Sequence, residues 1–253
     1  MSRTLKQQWG LEADPHADEH VMAGSTRLTK TTTVGGHEVG SQQPGLPVYH
    51  RRIANPFPLF AIGIGASLLI LGLVFVGHRG LTSPHIGLNV GLPLGGIGLL
   101  TAMVFAFAEG NTFLCVAAGS LGGLIGGTSL VNLPWTGIQA AYVMEAEGNI
   151  PLGTKELYNA LAVVFICSFV PVFIIFLASF KTAAPVSSAA LFIVIALIVL
   201  GVGFKEFPAI NLMKTGGALF ILVGVTLFYS AASVLLAEEG VKILPVLPLP
   251  RGD

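Results

Sequence analysis

Four hydroxyl-bearing side chains near the carboxyl end of the chain could contact a solute, and all lie within one long apolar run. Gaps of three, one and three residues place them on one face of a helix. Without a charged or histidine partner, hydroxyls donate and accept hydrogen bonds but carry no acid–base chemistry. The pattern therefore predicts a polar stripe that lines a solute pathway or joins helices. The four residues are Thr226, Tyr229, Ser230 and Ser233.

No arrangement of residues in the sequence indicates catalysis, metal binding or a cofactor. His16 and His20 are four residues apart, but no further ligand accompanies them. No glycine-rich loop with a following Lys-Ser or Lys-Thr is present to hold a nucleotide. The two cysteines, Cys115 and Cys167, lie in apolar runs and exclude a disulfide scaffold. We therefore predict that the protein is not an enzyme and holds no metal or cofactor.

The charge content excludes a water-soluble protein. Only 10% of the 253 residues are charged, 13 basic and 13 acidic, against about a quarter in soluble domains. Residues 57–237 carry ten of these charges, too few to cover a globule in water. Hydrophobic residues make up 53% of the chain, and the mean hydropathy is +0.79. A net charge of zero argues against a nucleic-acid partner. What remains is a protein embedded in membrane lipid.

Six apolar runs are long enough to cross a membrane, since a helix needs about 20 residues to span the bilayer core. None contains Asp, Glu, Lys, Arg or His, and none alternates as the strands of a membrane β-barrel do. We predict an all-α membrane protein, a six-transmembrane-helix bundle with a disordered N-terminal tail. The runs are Phe57–Gly77, Ile86–Ala108, Thr112–Leu130, Leu157–Phe180, Ala184–Gly203 and Gly216–Leu236.

These runs divide the chain into three parts. Residues 1–54 are rich in Gly, Ser, Thr, His and charge, which predicts a disordered polar tail. Residues 55–237 form the transmembrane domain, and residues 238–253 form a short C-terminal tail. Arg51 and Arg52 immediately precede the first span, which favours a cytoplasmic N-terminus. Six spans then place both termini in the cytoplasm.

Two of the spans carry rows of glycine at four-residue intervals. Small residues at this spacing let helix backbones approach closely in lipid. The rows fit packing within one bundle, packing between subunits of an oligomer, or a pore lined by backbone carbonyls. They are Gly87, Gly91 and Gly95 in the second span and Gly119, Gly123 and Gly127 in the third, where Gly122 and Gly126 form a parallel row.

The absence of acids and histidines from the spans bears on mechanism. Proton relays in pumps and carriers usually run through such groups. A pathway without them suits a neutral solute, or a weak acid that carries its own proton.

Three short segments together resemble a known family. The first, at the start of the first span, is Asn55-Pro56-Phe57-Pro58-Leu59, and the second, between the second and third spans, is the turn Gly110-Asn111-Thr112-Phe113. The chain then ends with repeated Leu-Pro pairs between residues 244 and 250. These motifs, in this order, resemble the acetate uptake transporter family of bacteria and fungi, and the long polar tail is similar to its fungal branch.

The resemblance implies a six-helix subunit with its own pathway, in the plasma membrane, assembled as a hexamer in bacterial relatives. It implies transport of acetate or a similar small carboxylic acid together with a proton. Asn55 and Pro56 then cap the first helix or contact entering substrate. An apolar constriction, contributed in the family by the first, third and fifth helices, falls by ungapped counting on Ile64, Leu121 and Leu191.

The chain departs from the family pattern at several positions. Two aromatic residues of the constriction are replaced by Ile64 and Leu121, Leu99 stands where a Gln is usual, and the fourth span lacks the usual Trp. We therefore retain three hypotheses. The first is a permease for acetate or another small monocarboxylate. The alternatives are a channel for ammonia or another neutral solute, and a non-transporting sensor or scaffold that acts through its N-terminal tail.

Overall fold

The computed structural model describes residues 54–81, 83–206, 209–241, 243–245 and 247. Apart from Ala54, the predicted tail of residues 1–54 lies outside the described residues, as do residues 248–253 of the C-terminal tail. Six helices in the described part are long and apolar enough to cross a membrane, which confirms the predicted fold class. They are Phe57–Val76, Pro84–Glu109, Thr112–Val131, Ile150–Ser179, Ala184–Lys205 and Ile210–Glu238.

The fourth and sixth spans begin earlier than predicted. The fourth begins at Ile150 rather than Leu157. The apolar run is interrupted before Leu157 by charged residues such as Lys155, but the helical backbone hydrogen bonds continue through them to the N-cap. That cap is Asn149, whose Oδ1 accepts a hydrogen bond from the backbone N–H of Leu152 at 3.3 Å. Charged residues near the membrane boundary therefore lie inside helices rather than in loops.

The Gly-Asn-Thr-Phe motif forms the turn between the second and third spans. Gly110 has φ +79° and ends the second span in the left-handed conformation that glycine adopts without strain. Asn111 caps the next helix, its Oδ1 accepting from the backbone N–H of Leu114 at 3.1 Å. Thr112 begins that helix, and Phe113 packs against the core. The motif thus ends one helix and starts the next within two residues.

The second span is not a regular α-helix. It begins with a 3-10 turn at Pro84–Gly87 and one α-helical turn at Leu88–Val90, widens into a π-helix over Gly91–Gly98, and continues as the α-helix Leu99–Glu109. Pro93 gives a physical reason, because its ring has no N–H to donate and collides with the carbonyl four residues earlier in an α-helix. The wider π turn accommodates both effects.

The six spans form a closed ring. Each packs on its neighbours in the chain, and the sixth packs on the first, which is the most extensive of these contacts. The short helix Ile138–Glu145 lies between the third and fourth spans and packs against the fourth. A ring of this kind leaves space on its axis, which every span can line.

In the second span, the predicted glycine row is divided between packing and open space. A methyl group at Gly91 would meet the hydroxyl of Ser129, and one at Gly95 would meet the hydroxyl of Ser67. A methyl group at Gly87 would meet nothing within 4 Å. The second span therefore approaches its neighbours closely at Gly91 and Gly95.

In the third span, the parallel row of Gly122 and Gly126 faces the bundle, together with Gly119 of the first row. Gly122 and Gly126 are buried and lie against the second span. A methyl group at Gly119 would lie 2.7 Å from a methionine sulfur. Gly123 and Gly127 are exposed, with nothing within 4 Å of a methyl group at either position.

Candidate functional site

A cavity of about 450 Å³ lies inside the ring and is lined by residues of all six spans. Gly77 and Leu81, in the loop after the first span, also line it and are exposed. The cavity therefore reaches the surface on the side of the bundle where the first span ends, which we call the loop side. Leu68, Leu121 and Ile193 line it from points midway along their helices. The cavity thus runs from the loop side to the middle of the bundle.

Aromatic rings form one wall of this cavity. Phe204, in the fifth span, has its ring centroid 5.7 Å from that of Tyr158, 5.3 Å from that of Phe165 and 6.1 Å from that of Phe75. All four line the cavity. Packing between these rings stabilises the contact of the first, fourth and fifth spans near the loop side.

Hydroxyl and amide groups form another part of the lining, mostly on the third span. Ser67, Thr128, Ser129 and Asn132 all line the cavity. The Thr128 hydroxyl donates to the carbonyl of Leu124 at 2.8 Å, and the Asn132 amide donates to the carbonyl of Thr128 at 3.2 Å. The cavity therefore offers a solute both an apolar and a hydrogen-bonding surface.

Lys214 alone is charged among the described residues that line the cavity. It is exposed and lies in the first turns of the sixth span, at the loop side. Below it the lining carries no charge, so the electrostatic attraction that a lysine exerts on an anion is confined to the mouth. Within the described ranges, no group of three or more His, Cys, Asp or Glu residues is placed to hold a metal. His16 and His20 lie outside those ranges.

Two of the three predicted constriction residues lie in the bundle interior. Leu121 lines the cavity, and Ile64 lies one helical turn beyond Leu68, away from the loop side, with 1% of its surface exposed. Leu191 instead is 38% exposed on the outside of the fifth span and is not part of the lining. The fifth span lines the cavity through Ile193, because a two-residue step turns about 200° around a helix. The constriction itself stays a prediction.

The predicted polar stripe of the sixth span does not line this cavity. Thr226 donates to the carbonyl of Leu222 at 2.9 Å, and Ser230 and Ser233 likewise donate to carbonyls of their own helix. The Tyr229 hydroxyl donates to the carbonyl of Pro245 at 2.8 Å. In the described part of the chain, Tyr229 therefore joins the sixth span to the segment that follows it, and the other three hydroxyls bond within their own helix.

Asn55 and Pro56 lie at the opposite end of the bundle from the cavity mouth. The Asn55 Oδ1 accepts from the backbone N–H of Phe57 at 2.9 Å, an Asx turn that starts the first span. Its Nδ2 donates to Glu238 Oε1 at 2.6 Å, at the end of the sixth span. Pro56 is buried. The asparagine thus starts one helix and joins it to another, and contact with substrate there stays a prediction.

Ser67, Ser129 and Lys214 line the cavity, but the sequence did not predict them as site residues. One signal was present for the serines, because the glycine spacing Gly91–Gly95 marks a close approach whose partners are small. For Lys214 no signal was available, since a lysine near a helix end usually faces the membrane surface.

Comparison with known proteins finds a matching family model and related transport proteins. A model of the GPR1/FUN34/yaaH family matches residues 39–251. Acetate permease A of Emericella nidulans is 27% identical over 219 residues, which cover 83% of this chain and 72% of that protein. Ammonia transport outward protein 2 of Saccharomyces cerevisiae is 25% identical over 217 residues, covering 85% and 73%.

A solved structure, that of the bacterial acetate channel SatP, has a similar fold. Its TM-score against this chain is 0.63, and the match covers 77% of this chain and 99% of that one. The sequences are 23% identical over the match, so the similarity concerns the fold.

Proposed function

Because this chain belongs to the GPR1/FUN34/yaaH family, the family of acetate transporters that its motifs resemble, we propose that it is a permease for acetate or a related small monocarboxylate. The solute passes through the axis of each subunit, together with a proton. The observation that carries the proposal is the cavity of about 450 Å³, which runs from the loop side to mid-bundle and is lined by all six spans. Its volume lies in the range of small-molecule sites.

The chemistry of the lining supports movement of the uncharged acid. A charged group at the centre of a bilayer is costly by at least several kcal/mol unless it is paired. Below Lys214 the cavity lining offers no counter-charge. A carboxylate attracted to the mouth therefore enters the deeper part at lower cost after it binds a proton.

Beyond the cavity, the pathway is closed by apolar side chains. Ile64 is almost fully buried, one turn from the cavity-lining Leu68, and Leu121 contributes from the third span. We propose that this constriction opens by helix movement or rewetting, as in other hydrophobic gates. Leu191 was the third residue proposed for it, and its exposed position makes Ile193 a better candidate on the fifth span.

The assembly and orientation belong to the same proposal. We propose that the protein lies in the plasma membrane with both termini in the cytoplasm, as a homo-oligomer that is a hexamer by resemblance. Gly123 and Gly127, exposed on the third span with open space before them, support a close contact between subunits. Native mass spectrometry gives the subunit number.

Uptake of labelled acetate into proteoliposomes tests the main proposal. With an inward proton gradient, we expect uptake well above that of empty liposomes, and a further increase as the outside pH falls toward the pKa of the acid. Circular dichroism and gel filtration establish that the protein is folded. Uptake equal to that of empty liposomes would overturn the proposal.

A second candidate is a channel for ammonia, favoured by the uncharged lining below Lys214 and by the relative whose name is ammonia transport outward protein 2. Stopped-flow measurements on the same liposomes separate the two candidates. A permeability increase for ammonia without one for acetic acid would favour the channel.

Lys214→Gln is expected to slow acetate uptake by about two- to fivefold at low salt, the range of an exposed charge interaction. The reason is that Lys214 raises the local concentration of the anion at the mouth. The effect should disappear at high ionic strength, where the Debye length shortens to about 3 Å. Lys205→Gln is the matched control, since Lys205 is exposed near the same side but does not line the cavity. Equal uptake by the two variants would contradict a role for Lys214.

A further inference from the structure

We infer that the wall of the cavity contains a hydrogen-bonding subsite for an uncharged carboxyl or carboxamide group, formed by the hydroxyls of Ser129 and Ser67. The inference rests on the proposed function and deepens it, because it names the form of the solute that the cavity binds.

Ser129 differs from the other buried serines of the described chain. It is 8% exposed and lines the cavity, yet its hydroxyl has no hydrogen-bond partner among the described residues. The other five each donate to a backbone carbonyl at 2.6 to 2.9 Å, namely Ser67, Ser179, Ser187, Ser230 and Ser233. Every described polar side-chain atom that is cut off from solvent has a partner. The Ser129 oxygen is therefore reachable from the cavity.

The second span fixes the positions of the two hydroxyls. The Ser129 hydroxyl lies against Gly91 and the Ser67 hydroxyl against Gly95, one turn apart in the π-helical stretch. A side chain at either glycine would occupy the place of the hydroxyl. Ser67 of the first span and Ser129 of the third thus line the same cavity, each with its hydroxyl against the second span.

The two hydroxyls have different hydrogen-bonding capacity. The Ser67 hydroxyl donates its proton to the carbonyl of Gly63 at 2.7 Å, so it offers the cavity lone pairs. The Ser129 proton has no partner in the described structure and is available to a solute. Together they present one acceptor and one donor.

This pair complements an uncharged carboxyl group, whose carbonyl accepts and whose O–H donates. A carboxylate has only acceptors, so one of its oxygens would face the lone pairs of Ser67. A carboxamide has the same donor and acceptor as the acid but does not ionise, and a methyl ester lacks the donor. The subsite therefore selects the protonated acid, which links solute binding to proton binding without a titratable side chain.

Thermal unfolding of the purified full-length protein tests the subsite apart from transport, because a bound ligand raises the melting temperature. Acetamide is the probe and methyl acetate the comparison, at pH 5 and pH 7.5. We expect acetamide to raise the melting temperature of the wild type equally at both pH values, and methyl acetate to have little effect. Ser129→Ala should require about three- to tenfold more acetamide for the same shift, the factor that one hydrogen bond supplies.

Ser120→Ala is the matched control, on the same span but outside the cavity lining, and should respond as the wild type does. Without ligand, Ser129→Ala should be at least as stable as the wild type, since it loses no hydrogen bond. Ser67→Ala provides a second variant, and should also weaken the acetamide shift.

The inference would be overturned by an acetamide response that Ser129→Ala leaves unchanged, by equal shifts with methyl acetate and acetamide, or by no shift in the wild type. A response to ammonia that depends on Ser129, without one to acetamide, would also overturn it. A Ser129-dependent acetamide shift in a protein that moves no acetate would leave the subsite standing and refute the permease. Acetate flux without a Ser129-dependent acetamide shift would support the permease and refute the subsite.

Discussion

Attaching a charged group to a cysteine at position 128 is expected to stop solute flux. Thr128 lines the cavity, half-buried, between Asn132 at the mouth and Ile125 deeper in. In Thr128→Cys, a charged methanethiosulfonate reagent should reach the thiol from the loop side and place a bulky ion in an otherwise uncharged passage. We expect uptake of acetate to fall about tenfold or more, since the pathway is both narrowed and charged.

The native cysteines must first be replaced, because Cys115 is half-buried and Cys167 exposed. Trp135→Cys in the same background is the matched control. Trp135 is 82% exposed in the loop after the third span and does not line the cavity. Its modification should leave flux unchanged. Full labelling of the Thr128→Cys protein, verified by mass spectrometry, with flux intact would mean that solute does not pass through this cavity.

The same experiment in whole cells reports orientation. If both termini are cytoplasmic, the loop side faces outward, and a membrane-impermeant reagent added to intact cells should block the Thr128→Cys protein. Block only in inside-out vesicles would indicate the opposite orientation.

Gly217→Val is expected to destabilise the fold severely. A methyl group at Gly217 would lie 2.8 Å from the carbonyl oxygen of Gly72, and one at Gly72 would lie 2.6 Å from the carbonyl oxygen of Gly217. Both contacts are with backbone, which cannot rotate away. Overpacking usually costs about 1–3 kcal/mol, and a backbone clash lies at the upper end of that range. We expect a clear fall in melting temperature and in the yield of folded protein.

Gly123→Ala is the control for the Gly217→Val variant. It also adds bulk to a membrane helix, but no atom lies within 4 Å of the added methyl group. The folded subunit should keep its melting temperature or gain slightly from the better helix propensity of alanine. A loss of oligomer without a loss of helicity would indicate that Gly123 lies between subunits. Equal destabilisation by both variants would contradict the helix contact described above.

The number of spans and their turns follow directly from local sequence. Transfer of a helix of about 20 predominantly apolar residues into lipid is favourable whatever segments lie beside it, so six such runs predict six helices. Gly110 and Asn111 predict a turn for a similar reason, because a left-handed glycine and an asparagine cap act within a few residues of themselves. Charged residues such as Lys155 mark the membrane boundary but not the helix end, and for that reason the fourth span was predicted too short.

The glycine contacts illustrate what local sequence does not contain. The sequence predicts close helix contacts at the glycine rows of the second and third spans. The first and sixth spans instead meet through two glycines on each helix, seven residues apart. Gly65 lies against Gly224, and Gly72 against Gly217, in antiparallel order. Spacing along one helix cannot identify its partner, since each glycine faces a residue more than 140 positions away in the chain.

The sequence predicted only some of the residues that line the candidate site. Leu121 lines the cavity, but Leu191, two residues from Ile193, faces outward. The hydroxyls of the sixth span, including Tyr229, bond to backbone, whereas Ser129 faces the cavity with no described partner. Composition identifies which side chains are polar, but the rotation of each helix decides which of them a solute can reach.

From hydropathy and charge alone it follows that this protein crosses the membrane six times and that the six apolar runs contain no Asp, Glu, Lys, Arg or His to relay a proton, because both are properties of each segment by itself. The closure of the six helices into a ring, and the position of Ser67 and Ser129 beside one cavity, are visible only in the folded protein. These features depend on contacts between distant segments, which form only when the helices pack.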